Sequence, residues 1–300
     1  DYMSDKIDNG LEELGIEYDK EMLPSKDKLK ELIPSYDLLI MRVDPFIDKD
    51  IMDAGSNLKA IFVGSTGTNH IDKEYAKEKG IEIYNSPGLN ANAVAELVIA
   101  KMLDLYRNTV QSQNEIKNDG IWNKYRWEGR ELRNKTIGII GYGAIGRRVG
   151  EIANVFHMDV LASDPFLSEE DIKEDYTKLT DLDEIFEKSD IITLHIPLTP
   201  DTKDMISKKE LEKMKDDAII INAARGGIVN EDDLYDALEN KTIGGANFDT
   251  ISKELGSGGL DSTDAHVESK LFESDRFYIT PHIGGSTKDS QDDIGEVVLG

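Results

Sequence analysis

Six short apolar runs punctuate the second half of this chain: KTIGIIG (135–141), MDVLASD (158–164), DIITLHI (190–196), DAIIINA (217–223), IGGANFD (243–249) and RFYITPH (276–282). They constrain the fold more than any other feature. Each has the length of a strand, and most are apolar in succession rather than at every second position. A strand with one wet face alternates apolar and polar residues, whereas a continuous run means that both faces are covered. Helical segments lie between most of the runs. The pattern predicts a parallel sheet clad with helices on both sides.

The first ninety residues repeat the alternation on a smaller scale. YDLLIMR (36–42) and LKAIFVG (58–64) read as buried strands, DKEYAKEKG (72–80) as a helix with a glycine cap, and IEIYN (81–85) as the next strand. A long helical pattern follows over 91–116, its apolar positions 94, 97, 98, 102 and 105 recurring at helical spacing. At 300 residues the chain suits two cores better than one. The expected organisation is α/β with two doubly wound parallel-sheet domains, a nucleotide domain over 93–282 and a second domain over 1–92 completed by 283–300. The polar stretch 252–270 is expected to be a long loop, and ordered loops of that length are usually functional.

Lysine and arginine number 35 against 60 acidic residues, a net charge of −25. A field of that sign repels nucleic acid and anionic membranes, so neither is expected as a partner. No apolar run approaches the roughly 18 residues needed to cross a bilayer. The first residues, DYMSDKIDNG, lack the basic start and apolar core of a signal peptide. The expected location is the cytoplasm. There is no cysteine, which excludes disulfides, thiolate nucleophiles and Cys-ligated zinc. His70, His157 and His266 show no metal-ligand spacing, and no metal is assigned.

Gly141, Gly143 and Gly146 stand in G-x-G-x-x-G spacing, after an apolar run and before an amphipathic helix. In that context the first glycine permits a tight turn, the second lets backbone approach a pyrophosphate, and the third brings helix against strand. The helix N-terminus supplies N–H donors to the anion. Asp164, eighteen residues after Gly146, ends the next run. A carboxylate there accepts from a ribose 2′-OH and repels a 2′-phosphate, so NAD is expected over NADP. Arg147 and Arg148, just after the third glycine, are expected to face solvent.

The run 217–223 stops, and Arg225 follows with Gly226 and Gly227 behind it. A guanidinium is costly to bury unpaired, and ligands of open parallel sheets bind beyond the carboxyl ends of the strands. Arg225 is therefore expected to project into that crevice, the glycines keeping the backbone lean where a cofactor passes. It can hold a planar carboxylate bidentately. Its expected neighbours are the other strand-end residues His195, Asp249 and His282. An arginine, an acid and a histidine beside a dinucleotide suggest hydride and proton chemistry.

Five segments carry a resemblance: 67–96, 120–147, LHIPLTPDT (194–202), INAARGGIVNEDDL (221–234) and TPHIGGST (280–287). With these in order, the chain resembles the D-isomer-specific 2-hydroxyacid dehydrogenase family, most closely its phosphoglycerate dehydrogenase branch, over nearly its whole length. The resemblance implies a Rossmann NAD-binding domain inserted into a flavodoxin-like substrate domain, and a catalytic trio of arginine, glutamate and histidine. Arg225 takes the first role and His282 the last. The glutamate follows the strand-ending aspartate by five residues, which selects Glu254 after Asp249. The family usually has proline next, where this chain has Leu255 and a glycine-rich insertion, 256–263; Glu268 is the alternative.

In the implied mechanism Arg225 holds the substrate carboxylate and polarises the carbon-bound oxygen. His282 takes the hydroxyl proton as the C2 hydride passes to the nicotinamide. Glu254 pairs with His282, and an adjacent negative charge favours imidazolium. The matching implies further cofactor contacts from Ser86, Ala144, Ile145, His195, Ile196, Pro197, Ala223, Ala224, Asp249, Gly284 and Gly285. Ser65, Thr66 and Gly67 of the loop VGSTGTN would hold the substrate carboxylate, and Arg42 a phosphate. The implied substrate is D-3-phosphoglycerate, on the route to serine. The alternatives are D-lactate or a hydroxypyruvate- or glyoxylate-type keto acid and, in another class, a non-catalytic NAD sensor. Family members are usually dimers; a homodimer through 91–116 and 118–129, with Trp122, Tyr125 and Trp127, is expected. With its end at Gly300, the chain is expected to lack a C-terminal regulatory domain.

Overall fold

A computed structural model describes residues 3–255 and 266–299; the glycine-rich insertion lies outside the described residues. The chain forms two compact units, Asp1–Ala93 with Gly285–Gly300, and Val94–Gly284.

The first unit holds a three-stranded parallel sheet in the order β1 (Leu38–Met41), β2 (Ala60–Val63), β3 (Glu82–Asn85). Each strand lies inside a run read from the sequence. Four helices accompany it: α1 (Asp5–Glu13), α2 (Lys26–Leu32), α3 (Lys49–Ala54) and α4 (Lys73–Lys79). Their starts are capped by Ser4, Ser25, Asp48 and Asp72, whose side chains accept from backbone N–H groups of the first turn. Ile47, Ile51, Met52, Ile61 and Val63 are fully buried in its core. The last helix of the chain, α11 (Lys288–Leu299), packs on α1, with Ser4 Oγ donating to Asp292 at 2.5 Å and Lys6 paired with Glu296 at 2.6 Å.

The second unit opens with α5 (Ala91–Arg107) and α6 (Thr109–Asp119). The single helix expected over 91–116 is thus two. Asn108 breaks it in the left-handed conformation, φ 51° and ψ 37°, which asparagine tolerates better than most residues. The exposed segment after α6 is tied back by buried Glu115, which accepts from Arg126 and, at 2.6 Å, from Trp127 Nε1. Trp122 and Tyr125 are 82% and 81% exposed.

Seven parallel strands follow: β4 (Thr136–Ile140), β5 (Asp159–Ser163), β6 (Thr177–Leu179), β7 (Ile191–Leu194), β8 (Ile219–Asn222), β9 (Gly245–Phe248) and β10 (Phe277–Ile279). Only β6, a short edge strand of mixed polarity (TKL), was not legible as an apolar run. The spatial order is β10-β9-β8-β7-β4-β5-β6. Chain direction across the sheet therefore reverses between β4 and β7, and that switch point opens a crevice at their carboxyl ends. The helices α7 (Ala144–Val155), α8 (Leu182–Lys188), α9 (Lys208–Leu211) and α10 (Glu231–Glu239) lie between strands. Strand residues alternate between two cores: Ile137, Ile139, Ile191, Ile219 and Ile221 join one, Ile140, Ile192, Leu194 and Ile220 the other. Two buried faces explain why the runs are unbroken in the sequence. Among the described residues no helix is long and apolar enough to cross a membrane.

Candidate active site

The turn after β4 is built from backbone. Gly141 takes φ +90°, donates its N–H to Ser163 O at 2.8 Å, and lies so near the chain after β7 that a Cβ would stand 2.6 Å from His195 O. A Cβ on Gly146 would stand 2.2 Å from Gly141 O, so helix and turn touch directly. Gly143 is different: it is exposed, a Cβ there would meet nothing within 4 Å, and no side chain caps the helix that starts behind it. The first N–H groups of α7 thus face open space, as an anion site requires. Ala144 is exposed and Ile145 half-buried beside them.

Asp164 follows β5. Its Oδ2 accepts from Tyr142 N at 2.9 Å and its Oδ1 from Phe166 N at 3.0 Å. The carboxylate is pinned to the glycine turn, with lone pairs to spare for a ribose diol. These residues fit a dinucleotide. Arg147, expected in solvent, is half-buried instead. It lies over the Tyr142 ring and binds Glu174 at 2.8 and 3.0 Å and Asp171 O at 3.1 Å. Arg148 pairs with Glu151 at 2.6 Å. The positive charge next to the turn is therefore compensated locally.

After β7, His195 has Nε2 3.0 Å from Thr193 Oγ1, while its Nδ1 is buried without a hydrogen-bond partner. Burial pushes its pKa down to about 3, so the ring is neutral at physiological pH and is not a proton donor there. Ile196 is half-buried and Pro197 exposed.

The catalytic candidates meet within the same unit, but none sits on a strand. Arg225 and His282 each lie three residues past a strand end, in turns folded by a buried polar side chain that the sequence reading did not assign that task. At the end of β8, Asn222 donates from Nδ2 to Arg225 O at 2.8 Å and accepts from Ala224 N at 3.0 Å. Past β9, Asp249 accepts from Thr280 Oγ1, from Ile283 N at 3.0 Å and from Gly284 N at 2.8 Å. Its backbone carbonyl receives His282 N at 2.9 Å. His282 is thereby held at φ 51°, a conformation uncommon for a non-glycine residue and one that needs such support. Asp249, assigned to the cofactor from the sequence, thus spends most of its acceptor capacity on the protein.

Glu254 lies in a short 3-10 turn, Ser252–Leu255, and its Oε1 contacts His282 Nδ1. The alternative, Glu268, presents its backbone carbonyl to Lys253. Ser252 N donates to Glu231 Oε1 at 2.6 Å, which ties this turn to the start of α10. Arg225 is half-buried, with Nη1 donating to Ala224 O at 2.7 Å. Burial lowers its pKa from the ordinary arginine value, and the Glu254 charge opposes that shift. Gly226 also admits a neighbouring segment. A Cβ on it would lie 2.0 Å from the backbone carbon and oxygen of Ile251. Its lack of a side chain lets the Arg225 turn lie against the segment that carries Glu254. Ala223 and Ala224 are buried beneath.

The remaining candidates belong to the first unit. Arg42, just past β1, is half-buried and donates from Nη2 to Ser286 Oγ at 2.7 Å. Burial lowers its pKa, and Asp44 works against the shift. Ser65 Oγ donates to Gly67 O at 2.8 Å and Thr66 Oγ1 to Asn90 Oδ1 at 3.0 Å, so the loop after β2 is internally braced. Ser86 is buried, with its N–H on Ser65 O at 3.3 Å; a Cβ on Gly285 would lie 2.7 Å from Asn90 Nδ2. Among the described residues no group of three or more His, Cys, Asp or Glu is arranged to hold a metal ion.

A dinucleotide cradle at the switch point, with a histidine, a glutamate and an arginine at the carboxyl edge of the same sheet, is the build of a nicotinamide-dependent oxidoreductase. Residues 99–284 match the model of the D-isomer specific 2-hydroxyacid dehydrogenase NAD-binding domain. The chain belongs to that family, and its cofactor is NAD. It is 39% identical over 270 residues to a hydroxypyruvate reductase of Thermotoga maritima, covering 90% of this chain and 85% of the relative. It is 36% identical over 284 residues to a D-3-phosphoglycerate dehydrogenase of Archaeoglobus fulgidus, covering 95% of this chain but only 52% of the relative. Among solved structures, the D-lactate dehydrogenase of Aquifex aeolicus, complexed with NAD and lactic acid, superposes with a TM-score of 0.79 at 29% identity, covering 97% of this chain and 88% of that one.

Proposed function

We propose that the protein interconverts D-3-phosphoglycerate and 3-phosphohydroxypyruvate, with the residues 1–92 and 283–300 as the substrate domain and 93–282 as the NAD domain. The observation that carries the chemistry is the contact of Glu254 with His282 in the unit that also holds half-buried Arg225. NAD, when bound, supplies the acceptor for the C2 hydride. The turn Gly141–Gly146 would hold its pyrophosphate and Asp164 its adenosine ribose. Arg225 binds the substrate carboxylate and polarises the C2 oxygen, which a fixed planar guanidinium does better than a lysine. His282 has Nδ1 committed to Glu254, which leaves Nε2 to take the C2 hydroxyl proton in oxidation and return it in reduction. Glu254 orients the ring. Ser65, Thr66 and Gly67 are assigned to the substrate carboxylate by the family resemblance.

Arg42 supports the phosphorylated substrate: it is a half-buried guanidinium that donates to a neutral hydroxyl, that of Ser286. A second reading, hydroxypyruvate as substrate, draws support from the Thermotoga relative, which matches over most of both chains. Serine biosynthesis, cytoplasmic residence and a homodimer belong to the first reading. The exposed Trp122 and Tyr125 support the dimer. The test is NADH formation from D-3-phosphoglycerate beside NADH consumption with hydroxypyruvate, glyoxylate and pyruvate. Saturable oxidation of phosphoglycerate, weakened by Arg42→Ala, is the expected result. Turnover of only the unphosphorylated acids selects the second reading, and NAD binding without turnover selects a sensor.

A further inference from the structure

The face that α5 lays along β9 contains one residue out of character. A Cβ on Gly245, at the start of the strand, would touch Leu105 at 3.3 Å, and one on Gly284, in the turn after β10 that is tied to Asp249, would touch Val94 at 3.4 Å and Leu97 at 3.7 Å. Between these contacts, one turn after Leu97, stands Lys101, only 1% exposed. Its Nζ donates to Asn247 Oδ1 at 2.9 Å and to Phe248 O at 2.8 Å, and Asn247 Nδ2 donates back to Lys101 O at 3.4 Å. A buried ammonium is expensive, and an apolar side chain of similar length would fill the same space. Burial lowers its pKa to about 8 against the opposing pull of Asp249, on β9's end, and of Asp104, on its own helix.

What lies beyond that strand end is the turn of His282. Phe248 O, which accepts from Lys101, also accepts from Thr280 N at 3.0 Å. Asp249, the next residue, folds the turn through Thr280, Ile283 and Gly284. The ammonium therefore holds the last carbonyl of β9 and shares an electrostatic environment with the carboxylate that shapes the histidine's backbone.

We propose that Lys101 is a positioning residue of the hydride-transfer site: its buried ammonium holds the end of β9 and opposes the Asp249 charge, which keeps the 280–284 turn in the form that presents His282 to Glu254. The consequence for turnover rests on the dehydrogenase reading above; the link to the turn does not. The experiment is hydrogen exchange over 277–287 in the full chain, for wild type, Lys101→Met and Lys101→Gln, with NADH binding and turnover measured on the same preparations. In Lys101→Met the amides of Ile283 and Gly284 are expected to exchange roughly tenfold faster, with β4 and β5 unchanged. Turnover is expected to fall by about tenfold at nearly constant NADH affinity. Lys101→Gln keeps a donor without the charge, and is expected to exchange as fast as Lys101→Met. Wild-type protection in either variant overturns the proposal. If neither variant folds, the wild type alone decides. As pH rises through about 8, the value to which burial lowers Lys101, Ile283 and Gly284 must lose protection relative to the amides of β4 and β5, which gain from the overall rise in stability, and protection that tracks those strands overturns the proposal. Inactivity of the wild type on every acid tested would remove the substrate reading and leave the exchange result to decide Lys101.

Discussion

The turn after β4 offers a ligand its backbone, whereas the turns after β8 and β10 offer side chains. In the first, three glycines stand within six residues, and the Asp164 carboxylate is pinned to the turn by the N–H of Tyr142. In the second, Arg225, Glu254 and His282 come from three segments far apart along the chain. They are brought together by Asn222, Asp249, Glu231 and a glycine that admits a neighbouring chain. A backbone site tolerates change in the side chains around it. A site made of side chains depends on every group that shapes its turns.

The comparison can be broken most directly at His282. His282→Ala removes the acid–base group but none of the glycine turn, so turnover should fall by roughly three orders of magnitude while NADH binding, followed by fluorescence, is retained. Loss of binding instead would mean that the two turns are not separable. The glycines test the same point by stability. Gly226→Ala drives a Cβ into the Ile251 backbone and should cost about 3 kcal/mol in urea unfolding, with activity lost as the Glu254 segment is displaced. Gly143→Ala enters open space and should leave the unfolding midpoint in place, while lowering NAD affinity by about tenfold through crowding of the pyrophosphate. Equal effects of the two substitutions on stability would erase the distinction.

Glu254→Gln keeps the shape but changes the carboxylate that holds His282 Nδ1. Steady-state rates are expected to drop about thirtyfold, mainly in kcat. An unchanged kcat would reduce Glu254 to a structural contact. The smallest effect concerns Lys101. Its pKa in the fold, about 8, lies below the ordinary lysine value of 10.5, so the folded chain releases this proton before the unfolded chain does. Between those values the unfolded state binds more protons, and this group makes the fold more stable as pH rises through 8. The destabilisation is present in full at neutral pH. Unfolding midpoints on either side of pH 8 should show a rise that Lys101→Met lacks; parallel behaviour would refute the assignment.

Much of this was legible in the residues. Unbroken runs such as IIIN and TIGII announce strands covered on both faces, and Gly141, Gly143 and Gly146 announce the phosphate turn, because periodicity and turn sterics act over a few residues. The break at Asn108 was not legible, since one asparagine inside a helical pattern has no local necessity to leave the helix. Nor was the role of Gly226, because the atom it accommodates, on Ile251, is distant in sequence.

The sequence by itself determined the class of fold, the glycine turn after β4 and the cofactor, and it named the candidates for the site. Only the tertiary structure decided which groups touch: that Glu254 reaches His282, that Asp249 folds a turn of the protein, and that a lysine lies buried beneath it. The division has a physical cause. Strand, helix and glycine turn follow from steric and hydrophobic rules acting between near neighbours in the chain. Contacts at the carboxyl edge of the sheet depend on how separate strands stack, and on which polar groups find partners once water has gone.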